Sequence, residues 1–132
     1  MFNARHGKGV VVHTTNKLAA LAEFSKVVAE TDLRILAMST WVEDTEVVIR
    51  LICDDTPRMM EVLRDSGYNS QDRDVVLVDA TYQPGILRHL TERLASNDIE
   101  ILYLFASAID KNECLAVLNS SDNRRTIELL SG

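Results

Sequence analysis

Positive charge is in short supply in this chain. Its 14 Lys and Arg face 20 Asp and Glu, leaving a net charge of -6 and a pI of about 5.0. Nucleic acids and anionic membranes select basic faces, so neither is an expected partner. Cysteine is scarcer still. Cys53 and Cys114 lie in apolar, strand-like runs and make no C-x-x-C or other metal-ligand spacing, which reads as two buried free thiols and no metal site. No apolar run approaches the roughly 18 residues of a membrane span. No signal peptide is legible at residues 1–5, and a cytoplasmic location is expected. A nucleophile elbow, a glycine-rich phosphate loop and a G-x-G-x-x-G fingerprint are all missing, so the sequence offers no catalytic residue and implies no cofactor.

What is present centres on residues 76–87, Val-Leu-Val-Asp-Ala-Thr-Tyr-Gln-Pro-Gly-Ile-Leu, an apolar strand that turns through Pro84-Gly85 into a helix. Proline suits the first helical position, where its missing N–H would have had no partner. Gly85, without a Cβ, lets a ligand approach the N–H groups of the first turn. Those groups and the positive end of the helix dipole suit a carboxylate or phosphate. Taken alone, the pattern is equally that of a plain strand-to-helix turn.

The weight of this unit comes from its repetition. Shifted by 66 residues, the two halves align without a gap, with identities such as Val10/Val76, Thr15/Thr81, Leu21/Leu87, Asp32/Asp98, Ile35/Ile101 and Leu63/Leu129. Each half reads β-α-β-β-α. In the first, a strand over 9–14 leads to a helix over 17–31 capped by Asn16, with Leu18, Leu21, Phe24 and Val28 as its apolar stripe. A hairpin turns at Glu43-Asp44-Thr45, and a second helix follows, capped by Thr56 with Pro57 at its first position. The second half repeats this order, with Leu87, Leu90 and Leu94 as the first helical stripe. A final short strand would complete a ferredoxin-like βαββαβ sheet with helices on one face, an α+β fold. Residues 68–71 supply that strand in the first half. The second half ends before one, but Phe2 is the partner of Tyr68 at the shift of 66, so the N-terminal residues are the candidate for the missing strand and would interlock the halves. The repeats are assigned to 1–72 and 73–132.

Residues 79–87, then Asn97-Asp98-Ile99-Glu100-Ile101, residues 103–108 and Leu115-Ala116-Val117-Leu118 together resemble the ACT domain, a small amino-acid-binding regulatory module. The second repeat carries the resemblance well and the first more faintly, which implies a tandem ACT protein. The resemblance implies antiparallel βαββαβ repeats that pair side by side and bind a free amino acid at the seam between repeats. It places the ligand on Thr81, Tyr82, Gln83, Pro84, Gly85, Ile86 and Leu87, with Ile99, Glu100 and Ile101 across the seam. It also implies a homodimer and a non-catalytic sensor, or alternatively a regulatory subunit of an amino-acid biosynthetic enzyme such as acetolactate synthase. In the first repeat Leu18-Ala19 replaces Pro84-Gly85, so that turn is expected to be a structural equivalent.

Several residues stay open on their own chemistry. Trp41, the single tryptophan, suits either packing or the wall of a ligand pocket. His6, His13 and His89 have no metal spacing, and the acidic groups at 43–46 and 54–55 read as solvated turns. A small enzyme on this scaffold would require a pocket of convergent titratable groups. An RNA-binding reading lacks a basic surface.

Overall fold

The computed structural model describes residues 2–15, 17–108 and 110–131. Ten elements run in the order β1 (Phe2–Thr15), α1 (Ala20–Ala29), β2 (Ile35–Glu43), β3 (Glu46–Cys53), α2 (Thr56–Asp65), β4 (Asn69–Thr81), α3 (Ile86–Ala95), β5 (Ile101–Ala108), β6 (Glu113–Ser120) and α4 (Asn123–Leu129). They form two compact units. One is Lys8–Arg73; the other joins residues 2–7 to residues 74–131. β1 and β4 each contribute to both units: the start of β4 directly follows α2 and completes the contiguous Lys8–Arg73 unit, whereas the other unit takes residues 2–7 of β1 from far back in the chain.

In the Lys8–Arg73 unit the strands are ordered β2, β3, β1 and the start of β4, which is the ferredoxin-like order. β1 and β3 are antiparallel, with Val10 opposite Leu51 and Val12 opposite Ile49. β2 and β3 close as a hairpin with Glu43 opposite Glu46, and Asp44 takes the left-handed φ of 54° that so tight a turn needs. Alternation sends Val10, Val12, Val47, Ile49 and Leu51 to one face, where Phe24 and Val28 of α1 and Met59 and Leu63 of α2 cover them. Tyr68 meets Phe24 edge to face at 5.6 Å between ring centroids.

The other unit repeats the order, with residues 2–7, β4, β6 and β5 side by side. Val76 lies opposite Leu118 and Val78 opposite Ala116 in the antiparallel β4–β6 pair. Its core joins Phe2, Ala4, Val76, Val78, Leu118, Leu90, Leu94 and Leu130. The N-terminal residues are thus the missing strand, and Phe2 and Ala4 are buried like any central pair. The short helix α4 is held by polar contacts as well: buried Thr126 donates its hydroxyl to the Asp122 carbonyl (2.9 Å), and the Ser120 hydroxyl donates to Asn123 Oδ1 (2.8 Å).

Local details depart from the sequence reading. α1 begins at Ala20 with Ala19 as its N-cap, three residues after the expected start. Asn16, the expected cap, lies outside the described residues. Leu18 falls ahead of the helix and is fully exposed, so it is no part of the stripe, whose buried members are Ala20, Phe24 and Val28. Asp55, not Thr56, caps α2. Cys53 is buried as expected, and burial pushes its thiol pKa up, while Cys114 is half-buried; both are free.

Gly7 marks the point where β1 passes between units. A Cβ there would lie 2.7 Å from Cδ1 and 3.0 Å from Cγ of Leu77, itself only 7% exposed. Gly7→Ala is therefore expected to destabilise by about 1 kcal/mol through overpacking. Urea unfolding checks this, with a lowered midpoint as the expected result.

Candidate functional site

β4 ends at Thr81, and the Tyr82 N–H donates to the Asn112 carbonyl (2.6 Å), which ties the following turn to the β5–β6 hairpin. Gly85 is the N-cap of α3 and holds φ at 83°, in the left-handed region. Pro84 accordingly sits one residue before the cap and not at the first helical position. The space beside Gly85 is open: a Cβ added there would find the His89 ring as its nearest neighbour, 4.0 Å away. Backbone conformation, more than close approach, is what requires glycine here. The Ile86 N–H donates back to the Gln83 carbonyl (3.1 Å). The N–H groups of Leu87 and Arg88 belong to the first turn and have no acceptor within the helix.

The starts of the four helices divide by position in the repeat. The second helices are closed by aspartates: Asp55 accepts from the Arg58 N–H at 3.1 Å and Asp122 from the Arg125 N–H at 3.0 Å. The first helices, α1 and α3, have no side-chain cap, and α3 has no acidic residue in its first turn. An apolar rim accompanies the bare start of α3, since Tyr82 is 53% and Leu87 58% exposed. The stripe spacing places Leu87 inside with Leu90 and Leu94, and the structure corrects this; its repeat partner Leu21 is likewise exposed, at 38%. Both leucines come one residue after the first member of the stripe that packs on the sheet, Ala20, Phe24 and Val28 in α1 and Ile86, Leu90 and Leu94 in α3, and so fall on its flank.

The expected site residues fall into two groups. Thr81, Tyr82, Gln83, Pro84, Gly85, Ile86 and Leu87 form one continuous turn, with Thr81, Tyr82, Pro84, Gly85 and Leu87 exposed and Gln83 and Ile86 half-buried. Ile99, Glu100 and Ile101 lie at the other end of α3, about 15 Å away along a ten-residue helix. There the Ile99 N–H donates to the Leu94 carbonyl (3.0 Å) and the Glu100 N–H to Ser121 Oγ (2.9 Å). One unit therefore does not bring the two groups together. β5 begins at Ile101 opposite Ser120 and ends at Ala108 opposite Cys114, beside the pairing of Thr81 with Glu113. The 81–87 turn thus lies by the end of this edge strand and residues 99–101 by its beginning.

Concavities lie on the described surface as well. One of about 390 Å³ runs over the strand ends at Phe2, Asn3, Asp79, Thr81 and Glu113, where Arg5 forms an ion pair with Asp79. Another, of about 270 Å³, lies between the start of α1 and the end of β2. Sequence reasoning missed the latter. Among the described residues no group of three or more His, Cys, Asp or Glu is placed to hold a metal ion, and no helix is long and apolar enough to cross a membrane.

Comparison with known proteins agrees with this architecture. A family model described as an ACT domain pair matches residues 8–131. Protein BT0572 from Bacteroides thetaiotaomicron is similar over 97% of this chain and 88% of its own, with a TM-score of 0.89 and 24% identity. The ligand-free regulatory subunit of aspartate kinase from Thermus thermophilus is similar over 98% of this chain and 93% of its own, with a TM-score of 0.71 and 12% identity. The corresponding subunit from Thermus flavus has a TM-score of 0.64 at 12% identity, over 98% and 93% of the two chains. At these identities the likeness is one of fold. No curated protein sequence matches the chain.

Proposed function

As the chain belongs to the ACT domain pair family, we propose that it is a non-catalytic regulatory sensor that binds a free amino acid at the start of α3. The observation that carries this reading is the bare N-terminus of α3 in a chain whose second helices are both capped by aspartate. A ligand carboxylate at Leu87 and Arg88 takes the place of the missing cap, and Tyr82 and Leu87 supply apolar contact. Residues 99–101 complete the seam when they come from the ACT repeat of an adjacent copy. Antiparallel pairing of two β5 edges sets the beginning of one strand beside the end of the other, and so brings 99–101 to the 81–87 turn. β5 carries no charged residue to blunt such pairing. Light scattering is expected to find a homodimer; a monomer at high micromolar concentration contradicts this assembly.

Helix N–H donors and the dipole contribute roughly 1 to 2 kcal/mol and the apolar rim the rest, for a dissociation constant on the order of 100 μM. At a hundredfold excess, linkage then gives about 2.7 kcal/mol of stabilisation. A thermal-shift screen against the free amino acids reads it as a rise of several degrees. Leu87→Glu tests the site, because the residue is exposed and the new carboxylate competes for the same N–H groups. The expected outcome is a folded variant without the shift. A full shift in Leu87→Glu, or none with any amino acid in the wild type, refutes the site. Gly85→Val is the less clean variant, since a branched residue at φ 83° is strained before any ligand arrives.

A second reading, a regulatory subunit of an amino-acid biosynthetic enzyme such as acetolactate synthase, draws on β2. Leu36, Met38 and Val42 are 40–59% exposed there, an apolar edge suited to a protein partner. The similarity to the two Thermus regulatory subunits is in keeping with it.

A further inference from the structure

We propose that residues 2–7 act as a clamp on the 81–87 turn, so that occupancy of the turn is transmitted as tighter docking of the N-terminal strand. The inference rests on the sensing role above and names how that site is read out.

The turn joins β4 to α3, and the N-terminal strand holds both. On the β4 side, where the two strands are neighbours in the sheet, Arg5 forms an ion pair with Asp79, just ahead of Thr81. On the α3 side, buried Phe2 shares a core with Leu90 and Leu94, and the Arg93 guanidinium lies 5.4 Å from its ring centroid. Arg93 also donates to the Leu129 carbonyl at 3.3 Å, and the Ser131 hydroxyl donates to the Ala4 carbonyl at 3.4 Å, so the end of α4 is tied into the same arrangement. Phe2 and Asn3 of the strand and Thr81 of the turn line one cavity, that of about 390 Å³.

The charged ties belong to the second repeat. At the shift of 66, Arg5 corresponds to Gln71, Asp79 to His13 and Arg93 to Val27, which make neither a guanidinium–carboxylate pair nor a cation over a ring. The Arg5–Asp79 pair is half exposed and contributes little stability by itself; its effect is on the position of the β4 end.

Residues 2–7 come to their unit from outside its 74–131 run, so they can leave it without breaking the connection between β4 and α3. Such a release is a local opening, distinct from unfolding of the unit. With the strand away, α3 loses Phe2 from beneath its stripe and β4 loses Arg5, and the turn is no longer held at both ends. An amino acid that binds the held turn and not the loosened one shifts the population toward the docked strand, and docking raises its affinity by the same factor.

Hydrogen exchange of the full chain, read by mass spectrometry, tests the clamp. Without ligand, residues 2–7 are expected to exchange faster than residues 114–120 of the same unit, which identifies an opening of the strand alone. Each of the twenty amino acids is then added at about 1 mM, roughly ten times the dissociation constant expected above, and the one that raises the melting temperature is expected to slow exchange over 2–7 about tenfold. The double variant Arg5→Gln, Arg93→Gln changes two exposed side chains outside the turn. It is expected to fold, to lose the slowing over 2–7 and to bind the same amino acid about fivefold more weakly. A melting shift in the wild type with unchanged exchange over 2–7 overturns the clamp and leaves the sensing role standing. Undiminished slowing in the double variant does the same, as does exchange over 2–7 no faster than over 114–120. A wild type that responds to none of the twenty removes the sensing role and the clamp with it.

Discussion

Replacing Phe2 by alanine is expected to lower the melting temperature by roughly 10 °C, although the residue stands at the very beginning of the chain. Its ring is 5% exposed, packs with Val78, Leu94 and Leu130, and has the Arg93 guanidinium 5.4 Å from its centroid. Truncation of a buried phenylalanine costs about 3 to 5 kcal/mol. For a chain of this length each kcal/mol shifts the midpoint by roughly 3 °C. Deleting residues 1–6 removes Ala4 and the strand hydrogen bonds as well, so its effect is expected to be larger still. Calorimetry decides the matter: a variant that melts with the wild type would show that the N-terminal strand is not part of the folded core.

The second large effect concerns fragments. Residues 8–73 contain every strand of their unit, whereas residues 73–132 lack residues 2–7 and with them Phe2 and Ala4. The first fragment is expected to fold alone and the second to remain unfolded, because a unit of about 60 residues has little stability to spare. Rejoining residues 1–7 behind Ser131 through a short flexible linker is expected to restore folding. The geometry allows it, since the Ser131 hydroxyl donates to the Ala4 carbonyl at 3.4 Å. Circular dichroism of the three chains provides the readout. A cooperatively folded 73–132 fragment would contradict the borrowed strand.

The ladder of strands is legible in the sequence because alternation and the 66-residue register carry it. Val10, Val12, Val76 and Val78 keep one face apolar, and Phe2 aligns with Tyr68, which is enough to place the N-terminal strand. The family resemblance then names the fold. Helix starts are less legible, since a cap is chosen by backbone geometry as much as by residue type. Ala19 caps α1 without a side-chain bond, and Gly85 in a left-handed conformation moves the start of α3 beyond Pro84. The exposure of Leu21 and Leu87 is hidden because their spacing fits a buried stripe; the stripe that packs runs through Ala20 and Ile86 instead and leaves the leucines on its flank. The concavity between α1 and the end of β2 is lined by Ala20, where the other repeat has Ile86, a difference of volume that no motif records.

The borrowed strand also sets an order of events during synthesis. Residues 2–7 are made long before the rest of their unit, which includes Leu130 in its core and so cannot close until Leu130 has emerged. The Lys8–Arg73 unit is contiguous and is complete more than fifty residues earlier. At about 5–20 residues per second, the N-terminal segment waits several seconds with Phe2 in water. Closing so long a loop adds only a modest entropic cost, since that cost grows with the logarithm of length. The delay instead makes residues 2–7 the segment most in need of shielding during synthesis, and a bulky group fused just ahead of them would be carried into the closing of their unit.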